Sequence, residues 1–200
     1  TLSATDVDGD SLTYSAVSNI ENITVSITDS VLTLTPEPNF YGNGIIIISA
    51  DDGTLESNTV TFTLTVTPVN DAPMLSAIGD QTVLEDQPIS VSLSATDEDG
   101  DNITYLAASD TSAVSTTISG SILTMTPVDN FNGSATISVT ASDGTVDSSP
   151  ETFTLTVSPV NDAPVFDTIS DQSTPEDTPL TLTLSATDVD GDSLTYSAVS

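Results

Sequence analysis

The chain has 200 residues, of which 36% are hydrophobic, and it carries 30 Asp and Glu residues but no Lys, Arg, His or Cys. The formal net charge of −30 excludes nucleic acid as a direct partner, and the missing Cys excludes disulfide bonds. Regular alternation of apolar and polar residues, which disordered acidic tails lack, indicates a folded protein.

The sequence repeats with an offset of 91 residues, and residues 1–18 recur letter for letter as 183–200. A period near 90 residues is typical of one small domain per repeat. We predict an incomplete repeat at 1–71 that lacks its first strand, a complete repeat at 72–163 and the start of a third repeat at 164–200. We expect the chain to be a segment of a longer array, with its secretion signal and anchor outside the segment.

Apolar and polar residues alternate with a period of two along most of the complete repeat, which predicts half-buried strands. In chain order, the predicted strands are 74–84, 89–95, 103–107, 114–118, 122–126, 135–141 and 153–157. Turns rich in Gly, Asp, Asn and Pro separate them. About seven short antiparallel strands in about 90 residues predict an all-β chain of immunoglobulin-like β-sandwiches joined end to end.

A turn with an aromatic residue precedes the sixth strand of each of the first two repeats. Its copies are Asn39-Phe40-Tyr41-Gly42 and Asn130-Phe131-Asn132-Gly133. We predict that the Phe anchors a corner of the core and that the Gly takes a positive φ angle.

An acidic motif follows the second strand of each repeat. Its three copies, at 6–10, 97–101 and 188–192, each place three Asp residues within five positions. Because the chain has no cationic side chain to neutralise them, these Asp residues either take up protons or hold a hard divalent cation. Ligands that are all oxygen atoms favour Ca²⁺ over Zn²⁺ or Cu²⁺.

The spacing within the acidic motif does not match an EF-hand. An EF-hand loop that started at Asp97 would need Gly at position six and Glu at position twelve, whereas this chain has Gly100 at position four and Ala108 at position twelve. The EF-hand is therefore excluded. The alternative to a cation site is that Asp-Gly and Asn-Asp-Ala-Pro serve only as good turn formers.

The recurring acidic loops fall at strand ends, and the alternating strand directions of a sandwich bring loops of neighbouring repeats together. We therefore predict one calcium cluster at each of two junctions. The first cluster comprises Asn70, Asp71, Asp97, Asp99 and Asp143. The second cluster comprises Glu85, Asp86, Asn161, Asp162, Asp188 and Asp190. Asp52, the counterpart of Asp143, is predicted to face a junction before the first repeat.

The segments 94–105, 141–144 and 160–164 resemble cadherin repeats, most closely the cadherin-like tandem repeats of large bacterial surface adhesins. The resemblance spans the whole chain and implies tandem cadherin-like β-sandwiches, Ca²⁺ in the linkers and a role in cell-surface adhesion. It assigns the family's ligand positions to Glu85, Asp97, Asp99, Asp143, Asn161 and Asp162. Pro68 and Pro159 stand where animal cadherins carry an Asp, and the Asn-Phe-Asn-Gly turn replaces an acidic motif. These departures imply fewer ions per junction.

The sequence thus predicts a non-catalytic, extracellular stalk whose junctions between neighbouring repeats are stiffened by Ca²⁺. The alternative is a direct adhesive module that binds another copy, a cell-surface protein or a glycan through a sandwich face or loop. An enzyme is disfavoured because His, Cys and Lys are absent and because the carboxylates recur in every repeat, which active sites rarely do. Membrane insertion within the segment is disfavoured because the longest apolar run is only Ile45–Ile48.

Overall fold

A computed structural model describes residues 1–199 of the chain; Ser200, the last residue of the predicted third repeat, lies outside the described residues. The chain separates into two compact units, Thr1–Asp71 and a second unit that begins at Ala72. The described residues form strands, turns and loops and contain no helix, which confirms the predicted all-β class. Accordingly, residues 1–199 include no helix with the length and apolar character needed to cross a bilayer.

The first unit consists of five strands. They are β1 (Thr13–Ser18), β2 (Ile23–Thr28), β3 (Val31–Pro36), β4 (Gly42–Asp51) and β5 (Val60–Val66). Strand β4 pairs antiparallel with both β1 and β5, and β2 pairs antiparallel with β3. The first unit thus contains one sheet of order β1-β4-β5 and a second sheet formed by β2 and β3.

Residues 72–163 of the second unit, for which we keep the predicted name of complete repeat, contain nine strands. They are β6 (Met74–Leu75), β7 (Gln81–Leu84), β8 (Ile89–Ser92), β9 (Ala95–Thr96), β10 (Thr104–Ser109), β11 (Val114–Ser119), β12 (Ile122–Pro127), β13 (Gly133–Ser142) and β14 (Glu151–Ser158). One layer has the order β10-β13-β14-β7 and the other β11-β12-β8, while β6 pairs with β9. The predicted β-sandwich is therefore confirmed.

Two of the seven predicted strands are interrupted, which corrects the predicted continuous strands 74–84 and 89–95. Strand β6 pairs antiparallel with β9, whereas β7 pairs with β14, so the chain changes pairing partner between Leu75 and Gln81. The Asp80 carboxylate accepts a hydrogen bond from the Thr154 N–H at 2.8 Å and fixes the crossing to β14. The β7–β14 ladder is parallel, unlike the antiparallel pairing that the sequence predicted.

The core of the complete repeat lies between its two layers. It contains the buried residues Leu93, Val114, Leu123, Met125, Ala135, Ile137, Val139, Phe153, Leu155 and Val157. Every second residue of β13 from Ala135 to Ala141 is buried, as the period of two predicted.

The turn before β13 has the predicted geometry. Phe131 packs against the core, and Gly133 has a φ of 145°, which L residues with a side chain rarely adopt. A Cβ atom at Gly133 would lie 3.3 Å from the Phe131 ring. The turn also uses Asn130 at a φ of 60°, a feature that the sequence did not predict.

We expect Gly133→Ala to lower the free energy of unfolding of the second unit by about 1–3 kcal/mol, because the substitution adds backbone strain and crowds the Phe131 ring. Gly79→Ala is the matched control, since Gly79 has no positive φ and open space around its Cα. Denaturant unfolding followed by circular dichroism measures both changes. Equal unfolding curves for the two variants would contradict the prediction.

After the complete repeat the chain forms one further antiparallel pair, β15 (Val165–Phe166) with β16 (Ala186–Thr187). This pair repeats the β6–β9 pairing 91 residues later in the sequence. Strand β16 leads directly into the third copy of the acidic motif, which begins at Asp188.

Candidate metal site

Glu85 is a buried acidic residue, only 2% exposed, at the position that follows β7. Its N–H donates to the Ser158 carbonyl at 2.9 Å, and its Oε1 accepts from the Val160 N–H at 2.6 Å. The parallel pairing of β7 with β14 causes this arrangement, because parallel strands end at the same edge of a sheet. The Glu85 carboxylate therefore lies against the segment that leads out of the complete repeat.

Three carboxylates converge at this segment. One oxygen each from Glu85, Asp162 and Asp190 lies within 4.8 Å of the others. The Asp162 N–H also donates to Asp190 Oδ2 at 2.7 Å. The β15–β16 pair joins the two chain segments just beyond Asp162 and just before Asp190, and so holds these residues side by side.

Asp162 has an unfavourable electrostatic environment. Its Oδ2 is buried and has no hydrogen-bond partner among residues 1–199. Burial raises the pKa of Asp162 above its usual value, and the negative charges of Asp190, Asp86, Glu85 and Asp188 raise this pKa further. The acidic residues of the second predicted cluster therefore act on one another electrostatically, and a nearby cation would favour the ionised form of Asp162.

The acidic motif folds in the same way in all three copies. In the third copy, Asp188 Oδ1 accepts hydrogen bonds from the N–H groups of Asp190 at 3.0 Å and Asp192 at 3.1 Å. Asp97 Oδ1 likewise accepts from two N–H groups of its own loop, and Asp6 Oδ1 accepts from three. Turn formation therefore accounts for one oxygen of the first Asp in each copy.

Turn formation leaves the other oxygen of Asp97 unexplained. Asp97 Oδ2 is buried and, within the described part of the chain, lacks a hydrogen-bond partner. Asp97 belongs to a second acidic group, in which Asp97, Asp99 and Asp101 each place one carboxylate oxygen within 4.8 Å of the others. Asp101 is not among the ligands that the sequence predicts, although it lies in the same motif.

The remaining residues of the first predicted cluster have local interactions. Asp143 Oδ1 accepts from the N–H groups of Thr145 and Val146, at 2.5 and 2.7 Å. The Asn70 side chain donates to the Asp71 carbonyl at 3.1 Å. Asn70 and Asp71 belong to the first unit, whereas Asp97, Asp99 and Asp143 belong to the second, so the first cluster stays a prediction.

Asp52, the counterpart of Asp143, occupies the same kind of turn. Its Oδ1 accepts from the hydroxyl and the N–H of Thr54 and from the Leu55 N–H, each at 2.7 Å. The Thr54 hydroxyl, followed by these backbone N–H groups, lowers the pKa of Asp52 below its usual value. The Asp-Gly-Thr turn thus stabilises an ionised carboxylate in the first unit.

Asp86 and Asn161 sit beside the three converging carboxylates. Asp86 is exposed, with a φ of 60°, and its Oδ1 accepts from the Asn130 N–H at 2.8 Å. The Asn161 side chain donates to the Asp162 carbonyl at 3.0 Å. Both side chains thus have hydrogen-bond partners next to the three carboxylates, and their predicted role as ligands stays a prediction.

The Asn-Phe-Asn-Gly turn is linked to the acidic site, which the sequence did not predict. Asn130 binds Asp86, and the Asn132 side chain donates to Glu85 Oε2 at 3.4 Å. The sequence indicates only a packing role for the turn, because the residues that it contacts lie 44 and 47 positions away.

The chemistry of the donor set fits a hard divalent cation. Glu85, Asp162 and Asp190 offer only carboxylate oxygens, the ligand type that Ca²⁺ takes, and backbone carbonyls and water would complete a shell of about six to eight oxygens. Within residues 1–199, Asp162 Oδ2 is buried without a hydrogen-bond partner, and a cation bound here would supply one.

Comparison with known proteins gives one family match. The family model described as "Bacterial Ig domain" matches residues 1–65 and 70–156. The match confirms the prediction of tandem immunoglobulin-like repeats. A curated relative, Chitinase A of Pseudoalteromonas piscicida, is 34% identical over 139 residues, which cover 64% of this chain and 16% of that protein.

Solved structures with similar folds include cadherin and immunoglobulin repeats. Human CDH23 EC21-23 is 22% identical, with 89% of this chain and 68% of that chain covered and a TM-score of 0.48. Human mucin-like protocadherin EC1-2 is 18% identical, with 80% and 92% covered and a TM-score of 0.43. The tandem Ig repeats of Dlar are 14% identical, with 76% and 84% covered and a TM-score of 0.34.

Proposed function

Because the chain belongs to the bacterial Ig domain family, we propose that it is a non-catalytic extender segment whose repeats are held in line by Ca²⁺. The segment would belong to a secreted or cell-surface protein, would lie outside the cell and would hold a terminal adhesive domain away from its anchor. Its partners would be calcium ions and neighbouring repeats of the same chain.

The convergence of Glu85, Asp162 and Asp190 supports this proposal. Glu85 belongs to the complete repeat, Asp162 to its last residues, and Asp190 to the segment that we propose to be the start of a third repeat. A cation bound by all three binds only when these segments are aligned, and therefore stabilises the alignment. Asp188 would be a further ligand from the same loop, and Asp86 and Asn161 would shape the site.

The high negative charge gives calcium a second role. With 30 acidic side chains and no basic ones, each unit repels itself and its neighbours. Bound Ca²⁺ lowers this charge at the points where acidic loops are most concentrated. We propose the first cluster, with Asn70, Asp71, Asp97, Asp99 and Asp143, as a second location for such ions.

We expect Asp190→Asn to weaken calcium binding by the 200-residue chain by about tenfold or more at one site, because a hard cation loses a charged ligand. Asp192→Asn is the matched control: it makes the same charge change in the same loop, but the Asp192 carboxylate is not one of the three that converge. Isothermal titration calorimetry measures both variants. Identical titrations of the two variants would remove Asp190 from the site.

The similarity to Chitinase A supports a second candidate function. Chitinase A shares 34% identity with 64% of this chain, so the same kind of repeat occurs in a polysaccharide-degrading enzyme. In that setting the segment would space a catalytic domain from a surface or would itself bind a glycan. Retention of the 200-residue chain on insoluble chitin, absent from an equally acidic unrelated protein, would favour this function over the simple extender.

A further inference from the structure

The Glu85 side chain is held by one hydrogen-bond donor at each of its two carboxylate oxygens. The Val160 N–H donates to Oε1 at 2.6 Å, and the Asn132 side-chain amide donates to Oε2 at 3.4 Å. Because the two donors act on different oxygens, they fix the rotation of the carboxylate about its Cγ–Cδ bond. Each oxygen accepts one of these bonds and keeps a lone pair that a cation can use.

Asn132 reaches Glu85 from the turn before β13, and the same turn also holds Asp86. The Asn130 N–H donates to Asp86 Oδ1 at 2.8 Å. Asn132 is exposed, whereas Glu85 is only 2% exposed. The turn therefore contacts two consecutive residues of the segment that follows β7, and the Asn132 amide makes the contact with the buried carboxylate.

The fold of the turn does not require Asn at position 132. In the first unit the equivalent turn has Tyr41 at this position, 91 residues earlier in the sequence, and Tyr41 is 61% exposed. The backbone of the two turns is alike, with a φ of 142° at Gly42 and 145° at Gly133. Asn132 itself does not have a positive φ angle, so many side chains fit there. The amide of Asn132 is therefore not explained by the turn.

Hydrogen bonds to the ligands of a metal site influence how tightly the site binds its ion. A donor holds the ligand in the binding orientation, and loss of such a donor typically weakens metal binding by about 10–100-fold. The bond from Asn132 is long, so it orients the Glu85 carboxylate more than it stabilises the fold. This orientation matters because one Glu85 oxygen lies within 4.8 Å of oxygens of Asp162 and Asp190.

We propose that Asn132 is a positioning residue whose amide holds the Glu85 carboxylate in the orientation in which Glu85, Asp162 and Asp190 bind one Ca²⁺ together. This role rests on the proposed function, because Asn132 has a ligand to orient only if the three carboxylates take an ion. Asn132 is neither acidic nor a ligand, yet it sets the affinity of the site. The equivalent turn of the first unit has Tyr41 and lacks this amide.

Asn132→Tyr tests this role with a side chain that the equivalent turn of the first unit already accommodates. We expect the variant to bind Ca²⁺ about tenfold or more weakly than the wild type in isothermal titration calorimetry of the 200-residue chain. Tyr41→Asn is the matched control, because it makes the reverse change in the first unit and should titrate like the wild type. A wild type that binds no calcium would overturn the proposed function and this role with it. Equal affinities of the wild type and Asn132→Tyr would overturn only the role of Asn132.

A second background shows whether Asn132 acts through Glu85. Glu85→Gln removes the charge that Asn132 orients, so adding Asn132→Tyr to Glu85→Gln should weaken calcium binding no further. Thermal melts in Ca²⁺ and in EDTA separate positioning from packing. Loss of a positioning residue reduces the rise in melting temperature that calcium produces, whereas loss of packing lowers the melting temperature equally in both buffers. Additive losses of affinity in the double variant, or an unchanged calcium-induced rise in Asn132→Tyr, would overturn the proposal.

Discussion

Removal of divalent cations should lower the melting temperature of the second unit by about 10–20 °C. The physical reason is linkage: an ion that binds only the folded state stabilises it by about 2.7 kcal/mol when its concentration is 100 times its dissociation constant. For a domain of this size, 1 kcal/mol corresponds to about 4–8 °C. Differential scanning calorimetry of the 200-residue chain in millimolar Ca²⁺ and in EDTA measures the difference. Superimposable melting curves would remove calcium from the folding of the unit.

The variant Asp162→Asn makes this test specific to the site. In EDTA the variant should melt at a higher temperature than the wild type, because it removes the negative charge of Asp162. In the described structure, Asp162 Oδ2 is buried without a hydrogen-bond partner, and the carboxylates of Glu85 and Asp190 repel its charge. In Ca²⁺ it should melt at a lower temperature, because the ion loses a charged ligand. A sign change between the two buffers separates ion binding from a general effect on packing.

The pH dependence in EDTA follows from the same residue. Burial and the neighbouring carboxylates raise the pKa of Asp162, so the folded state binds its proton more tightly than the unfolded state does. The ionised form of Asp162 therefore destabilises the fold. The free energy of unfolding in EDTA should rise as the pH falls through the raised pKa, because Asp162 then takes up a proton. Asp162→Asn should lack this part of the pH dependence, which thermal melts between about pH 4 and pH 7 would reveal.

Local patterns in the sequence were sufficient to predict the fold class and most strands. The alternation from Ala135 to Ala141 specifies which face of β13 is buried, because the period of a strand is two. The break between β6 and β7 was not predictable in this way. The break depends on the pairing of β7 with β14, which lies more than 70 residues away in the sequence. A local pattern of apolar and polar residues does not indicate which strand a segment pairs with.

The same distinction applies to the acidic site. That Glu85, Asp162 and Asp190 lie together could be predicted from strand direction and the repeat offset, while their role as ligands stays a prediction. The contacts of Asn130 and Asn132 with Asp86 and Glu85 were missed, since they join a turn to a strand end across the sandwich. Such contacts require the packed arrangement of the two layers.

Replacement of Phe153 by Ala should lower the free energy of unfolding of the second unit by about 3–5 kcal/mol, because the ring is almost fully buried in the core and its loss leaves a cavity. The equivalent change at Phe62 should cost the first unit roughly half as much or less, because that ring is already 41% exposed. Denaturant unfolding at low protein concentration measures both effects. Each unfolding transition is assigned to the unit whose Phe→Ala variant shifts its midpoint.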